Sequence, residues 1–203
     1  MKNHWFNLLK KLDYKEGERI IDIGGAYDPV PIADVVVDIC NLGRGGKSYT
    51  LLDMCSQYLP FPDKSFDIAI CSQTLEDLCS PTLILSEMQR VAKRGIIESP
   101  HRGVESTKHF YNHLKEDGSL EEIWHFGVGH HKWLIETIDD YITFVPKIQY
   151  MLMIHPIPKW TGPGGIEYIW NTDIKAKIMY DIEEEPISEN YRKFKRDNKQ
   201  YWE

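Results

Sequence analysis

Four short apolar runs in the first half of the chain constrain its fold more than any other feature. "RIIDI" (Arg19 to Ile23), "DVVVDI" (Asp34 to Ile39), "FDIAICS" (Phe66 to Ser72) and "GIIES" (Gly95 to Ser99) are β-branched and show little apolar–polar alternation. Runs of this kind read as strands buried on both faces. "SYTLLD" (Ser48 to Asp53) is a weaker strand between the second and third of them. "TLILSEMQRVAK" (Thr82 to Lys93) places Leu83, Leu85, Met88 and Val91 at roughly helical spacing, behind Pro81 at a helix start. Strands that alternate with helices define an α/β fold, a parallel sheet with helices on both faces.

The pattern changes after Pro100. Residues 101–131 are polar and histidine-rich, with no clear period. "WLIETIDDY" reads as a helix. "YITFVPKIQYMLMI" and "GIEYIWNTDIKAKIMY" read as two long strands joined by "HPIPKWTGPGG". We expect one domain over residues 1–203, since this length suits a single core. Within it, residues 1–18 carry an amphipathic helix, 101–140 an insert on the acceptor side, and 183–203 a charged tail. The formal net charge of −7 argues against a general affinity for nucleic acid. The N-terminal apolar run is too short for a membrane span, and no membrane partner is expected. Cys40, Cys55, Cys71 and Cys79 form no C-x-x-C pair and no zinc spacing. They read as reduced thiols, which favours a cytoplasmic protein. The sequence assigns no oligomeric state.

Ligands of such sheets bind beyond the carboxyl ends of the strands. Asp22, Gly24 and Gly25 stand at that end of the first strand, where glycines let backbone approach a ligand. A dinucleotide site would read G-x-G-x-x-G. Here Ala26 and Pro29 occupy the second and third glycine positions, and Asp28 would repel a diphosphate. Pro29 and Pro31 leave room for a helical turn at most, so the first crossover is shortened. The loop suits a ligand that has no phosphate and carries positive charge. S-adenosylmethionine has a cationic sulfonium and ammonium, and it fits. Asp38 ends the second strand, where a carboxylate accepts from ribose hydroxyls. Asp53 ends the third, where it can accept from an adenine amino group.

"LPFPDKSFDIAICSQTLEDLCSPTLILSEMQRVAKRGIIESP" (Leu59 to Pro100) resembles the class I S-adenosylmethionine-dependent methyltransferases of the L-P-F-x-D-x-S-F-D and L-E-H type. The shared residues are Leu59, Pro60, Phe61, Asp63, Ser65, Phe66 and Asp67, then Leu75 and Glu76, then Glu87, Arg90 and Val91. The resemblance spans Arg19 to Pro100. It implies a Rossmann-like, mostly parallel sheet of seven strands ordered 3-2-1-4-5-7-6, with S-adenosyl-L-methionine as cofactor. It implies that Asp22, Gly24, Gly25 and Ala26 face the methionine part, that Asp38 with Ile39 holds the ribose, and that Asp53 and Met54 flank the adenine. Ser72 and Gln73 would line the methyl-transfer site. Ala26 replaces a usual glycine and Asp77 the histidine of L-E-H. The residues also carry plain structural readings. Phe61 and Phe66 suit the core, Asp67 a structural hydrogen bond, and Glu87 with Arg90 an ion pair one helical turn apart.

Methyl transfer is an in-line displacement in which positioning supplies much of the rate. A hydroxyl acceptor also needs a base, a role suited to histidine. His131, in "GHHKWL", and His101, directly after the fifth strand, are the candidate catalytic residues. Trp124, Trp133, Trp160 and Trp170 are candidate walls of an acceptor pocket. His109 and His113, four apart, would share a helix face, but "HFYNH" lacks the glutamate of H-E-x-x-H and no metal site is expected. The function read from these features is a methyltransferase acting on a small-molecule or glycan-like acceptor. The alternatives are a domain that binds the cofactor without transfer and, on a related sheet, a nicotinamide-dependent oxidoreductase.

Overall fold

The computed structural model describes residues 2–42, 48–55, 58–147, 157, 159–179, 192–193 and 196–199. Two compact units emerge. The first comprises Met1–Ser99, Thr137–Ile142 and Glu167–Ala176; the second comprises Pro100–Glu136, Thr143–Ile166 and Lys177–Glu203.

The first unit is built on a sheet. Its strands are β1 (Ile20–Ile23), β2 (Val35–Asp38), β3 (Ser48–Leu51), β4 (Phe66–Ser72) and β5 (Ala92–Pro100), joined at the edge by β10 (Gly165–Trp170). The spatial order is β10-β5-β4-β1-β2-β3. All four pairings among β1 to β5 are parallel. This is the Rossmann-like arrangement expected, with one correction. Among the described residues the sheet has six strands where seven were expected; the late strand lies directly beside β5, as the expected order has it, and no further strand stands outside it. The segment expected as one long strand over 165–180 divides at Asn171, so that its second half, β11 (Ala176–Ile178), joins another sheet.

Between Ile23 and Val35 there are only turns and bends, so the crossover lacks its helix. The helix α1 (Lys2–Lys11) covers that face instead. Trp5, Leu8 and Leu12 pack with Val30 and Ala33 of the crossover and with Ile20, Ile68, Ile70 and Ile96 of the sheet. A ten-residue helix is marginal in water. Burying side chains of this size stabilises by about 1.5–3 kcal/mol each, and this packing holds the helix in place. The helix α2 (Pro81–Val91) forms the β4–β5 crossover, with Pro81 in its first turn as expected. Its Arg90 donates to both oxygens of Glu87 (2.8 and 2.6 Å), to Asp63 (2.8 Å) and to the carbonyls of Phe61 and Leu59. The L-P-F-P-D turn is therefore clamped to the helix. Phe66 is core, with Phe61 edge-on to it, and Asp67 accepts from the Arg19 backbone.

The second unit contains α3 (Arg102–Glu105) and an antiparallel hairpin of β6 (Lys108–Leu114) and β7 (Leu120–Phe126). A three-stranded sheet ordered β11-β9-β8 uses β8 (Trp133–Ile138) and β9 (Tyr141–Pro146). The helix expected over Trp133–Tyr141 is thus a hairpin. Asp139 and Asp140 both have positive φ (48° and 65°), the conformation of a type I′ turn. His109 and His113 lie on a strand, not on a helix. The continuation of the expected strand through 148–156, and nearly all of the tail 183–203, lie outside the described residues.

Candidate functional site

Strand register brings the polar ends of the first unit's strands onto one face. Asp22 is level with Val36 and Ile70, Ile70 with Ile96, and Ser72 with Glu98. Side chains alternate along a strand. Asp22, Asp38, Ser72 and Glu98 therefore share the face on which α1 packs, at the carboxyl edge of the sheet. Asp22 and Asp38 are 1% and 8% exposed.

Both carboxylates are engaged by the first loop. Asp22 Oδ2 accepts from the Val30 N–H at 2.7 Å, and Asp38 Oδ2 from the Ala26 N–H at 3.0 Å. Asp38 Oδ1 also accepts from the Cys40 N–H at 3.2 Å. The two glycines answer to the same packing. A Cβ on Gly25 would stand 2.1 Å from Asp22 Oδ2, and one on Gly24 (φ +81°) would stand 2.0 Å from Thr74 Oγ1. Their space is thus taken by neighbouring side chains, where the sequence suggested a ligand. Asp53 is exposed and accepts from the Cys55 N–H at 3.0 Å; Met54 beside it is buried. Ile39, by contrast, is 71% exposed.

Around Ser72 and Gln73, which the sequence named, the β4 end gathers Glu98, His4 and Thr74, which it did not. Ser72 Oγ donates to Glu98 Oε2 at 2.8 Å, and His4 Nε2 lies 3.0 Å from the same oxygen. Gln73 adopts φ +52° and donates its N–H to the Glu98 carbonyl at 3.0 Å. Thr74 Oγ1 donates to the Ser72 carbonyl at 3.0 Å. The available signal was Glu98 itself, a charge inside the buried run "GIIES".

The residues fit S-adenosylmethionine by charge. From Ile20 to Leu42 the chain has no lysine or arginine, while Asp22, Asp28 and Asp38 lie in or beside the first two loops. Such an edge favours a sulfonium and an ammonium and disfavours phosphate. Exposed Tyr27 and Ile39 offer apolar surface after β1 and β2. A hollow of about 570 Å³ lies at the amino ends of the strands, among Lys11, Lys15, Glu18, Arg94 and Asn171. Its cations are paired, Lys11 with Glu167, Lys15 with Asp13 and Arg94 with Glu18. It therefore belongs to the fold's polar surface.

His101 and His131 belong to the second unit, where each has a local task. His101 Nδ1 accepts from the Gly103 N–H at 2.9 Å and caps α3. Its ring stacks on Trp160 at 4.8 Å, and burial lowers its pKa. His131 Nδ1 lies 2.8 Å from Glu105 Oε1, and Lys147 Nζ lies 2.5 Å from Glu105 Oε2. Burial pushes the Glu105 carboxyl up, but the hydrogen bonds of His131 and Lys147 outweigh it and hold the group below its ordinary range. Trp133 packs edge-on against Phe144, and Trp170 is buried in the first unit. The side chain of Trp124 lies outside the described residues.

Residues 30–97 match the family model described as "Methyltransferase domain". That is about a third of the 203 residues, and it begins after the glycine pair. No curated protein matches the chain. Among solved structures, the chain is similar to an S-adenosylmethionine-dependent methyltransferase from Mesorhizobium loti (16% identity, 61% of this chain and 64% of that one, TM-score 0.41). It is also similar to the YcgJ protein of Bacillus subtilis (20%, 50% and 52%, TM-score 0.43) and to the [4+2]-cyclase SpnF (18%, 49% and 45%, TM-score 0.41). The matched part spans roughly half to two thirds of these chains. No helix among the described residues is long and apolar enough to cross a membrane. Over residues 30–97 the chain is thus similar to a methyltransferase domain, and that stretch runs from before β2 into β5 of the parallel sheet.

Proposed function

We propose that the protein transfers a methyl group from S-adenosylmethionine to a small-molecule or glycan-like acceptor in the cytoplasm. The observation that carries this reading is the placement of Asp22, Asp38, Ser72 and Glu98 on one sheet face, at one edge, beside a loop free of cationic side chains. When bound, the cofactor supplies an electrophilic methyl group on a sulfonium.

In this reading Asp22 fixes the loop through Val30, so that Gly24, Gly25 and Ala26 present backbone to the methionine part. Asp38 accepts from the ribose, with Ile39 against it, and Asp53 and Met54 flank the adenine. Ser72 and Gln73 border the transfer position, where Glu98 fixes the Ser72 hydroxyl. The stretch 101–140 serves the acceptor, with His101 and His131 as its bases. All of residues 1–203 then act as one methyltransferase-like domain.

Titration calorimetry with S-adenosylhomocysteine and with NADH, alongside labelled-methyl transfer to a panel of hydroxy, amino and carboxy acceptors, tests the proposal. Micromolar S-adenosylhomocysteine binding with transfer to one acceptor class is expected. Binding without transfer to any acceptor would leave a cofactor-binding domain, and NADH binding alone would reverse the reading.

A further inference from the structure

All four cysteines are free thiols, and two of them meet across the ligand edge of the first unit. Cys55 is half-buried just after β3 and the Asp53–Met54 pair; Cys79 is exposed, just beyond the 3₁₀ turn (Leu75–Asp77) that follows β4. The Cys79 N–H donates to Cys55 Sγ at 3.2 Å. An N–Cα bond adds about 1.5 Å, so Cys79 Cα lies within about 4.7 Å of that sulfur. A disulfide sets the partner's sulfur about 2.05 Å from a cysteine's own sulfur, which lies two bonds from its Cα, so a sulfur this near the Cys79 Cα is within bonding reach. Cys79 is exposed, so its side chain has room to turn toward its partner.

We propose that Cys55 and Cys79 are a peroxide-reactive modification site whose disulfide closes the adenine side of the cofactor site. This rests on the reading of Asp53 and Met54 as adenine neighbours. The exposed Cys79 sulfur attacks one peroxide oxygen; the O–O bond breaks and Cys79 sulfenic acid and water form. The Cys55 sulfur then attacks the sulfenic sulfur, the S–O bond breaks, and a second water leaves with both thiol protons accounted for. Two thiols and one hydrogen peroxide give one disulfide and two waters. The bond draws the loops after β3 and β4 together to an S–S length of about 2.05 Å. It narrows the gap that an adenine ring would enter. The Cys55 N–H to Asp53 Oδ1 bond carries the movement to the residue that would meet the adenine. Cys71 is buried within β4, and Cys40 is exposed after β2.

The test uses the full reduced chain in a Cys40→Ser background, treated with equimolar hydrogen peroxide. Peptide mapping without reductant should find Cys55 linked to Cys79. Calorimetry should show S-adenosylhomocysteine affinity falling at least tenfold and returning with dithiothreitol. Cys55→Ser and Cys79→Ser proteins should each keep their affinity through peroxide treatment. Absence of the linked peptide, a link that leaves affinity unchanged, or equal loss in the serine variants would overturn the proposal. Failure of the reduced protein to bind S-adenosylhomocysteine at all would overturn the cofactor reading and the gating with it, whereas the mapping would still decide the disulfide.

Discussion

Asp38→Ala, compared with Asp38→Asn, separates the task that the structure gives to this carboxylate from the one proposed for it. Its first task is internal. Oδ2 accepts from the Ala26 N–H at 3.0 Å, and Ala26 is only 3% exposed, so that donor would be stranded without an acceptor. A hydrogen bond to a charged group contributes about 1.5–3 kcal/mol. Cys40 is exposed, so water can replace the bond from its N–H to Oδ1 at little loss. Asp38→Ala should therefore destabilise by about 2–3 kcal/mol, which for a chain of this size lowers Tm by roughly 4–12 °C. Asp38→Asn keeps one acceptor oxygen and should lose about 1 kcal/mol. The second task, acceptance from ribose hydroxyls, predicts a loss in S-adenosylhomocysteine affinity of roughly 10- to 150-fold for alanine and about tenfold for asparagine. Urea unfolding followed by tryptophan fluorescence gives the first quantity; calorimetry well below each Tm gives the second. If Asp38→Asn binds as tightly as wild type, the ribose role is refuted and the side chain serves only the loop.

Arg90→Ala should destabilise by about 3–5 kcal/mol in urea unfolding, because Glu87, whose side chain is 4% exposed, would keep a buried charge without its cation. The hydrogen bond of Arg90 holds Glu87 below its ordinary pKa of 4.5, against the opposing effect of burial. A depressed carboxylate stabilises fully above its unfolded pKa and loses that contribution as pH falls through the folded value. The difference between wild type and Arg90→Ala should thus stay level from neutral pH to about 5 and shrink below 4.5; a difference that persists undiminished at pH 3 would contradict the assignment. Gly25→Ala should cost about 1–3 kcal/mol and weaken S-adenosylhomocysteine binding, since Asp22 is pinned by Val30 and cannot yield to a Cβ 2.1 Å away. Gly164→Ala, with nothing within 4 Å, should stay within about 0.5 kcal/mol and serves as the control; equal effects at both positions would refute the packing argument.

The parts of the fold legible in the sequence were those in which burial alone writes the pattern. β1, β2, β4 and most of β5 are buried, and the run of apolar, often β-branched residues at their centres marks them whatever their neighbours. Where a segment is half-buried, length and turn chemistry decide, and both can mislead. Trp133–Tyr141 has a helix's share of apolar residues. Its turn is Asp139–Asp140, without the glycine that usually marks a type I′ hairpin. In 165–180 the turn residues "NTD" were present but outweighed by the apolar flanks. The site divides the same way. Carboxylates that end strands are visible one at a time, and Asp22 and Asp38 lie where the pattern placed them. His4 and Glu98 are 94 residues apart, so only strand register and the docking of α1 bring them together. Sequence pattern registers a histidine's reactivity but not its partners, so His101 and His131 stood out although each is bound to a neighbour in its own unit.

The short first crossover does not leave the carboxyl edge of the sheet without a helix. A crossover helix covers a sheet face and points its amino end at the carboxyl edge of the strands. α1 runs in that sense. His4 near its start meets Glu98 toward the end of β5, and Leu12 just past its last turn accepts from Arg94 toward that strand's beginning. The apolar stripe of Trp5, Leu8 and Leu12 does the covering, and the positive end of the helix dipole lies at the edge that carries Asp22, Asp38 and Glu98. Glu98 Oε2 then joins two functions. It receives Ser72 from the strand beside it and His4 from the helix above it, so the position of α1 and the geometry of the β4 end are set by one oxygen. Two prolines in the first loop are tolerated because the helix they preclude is supplied by the chain that precedes β1.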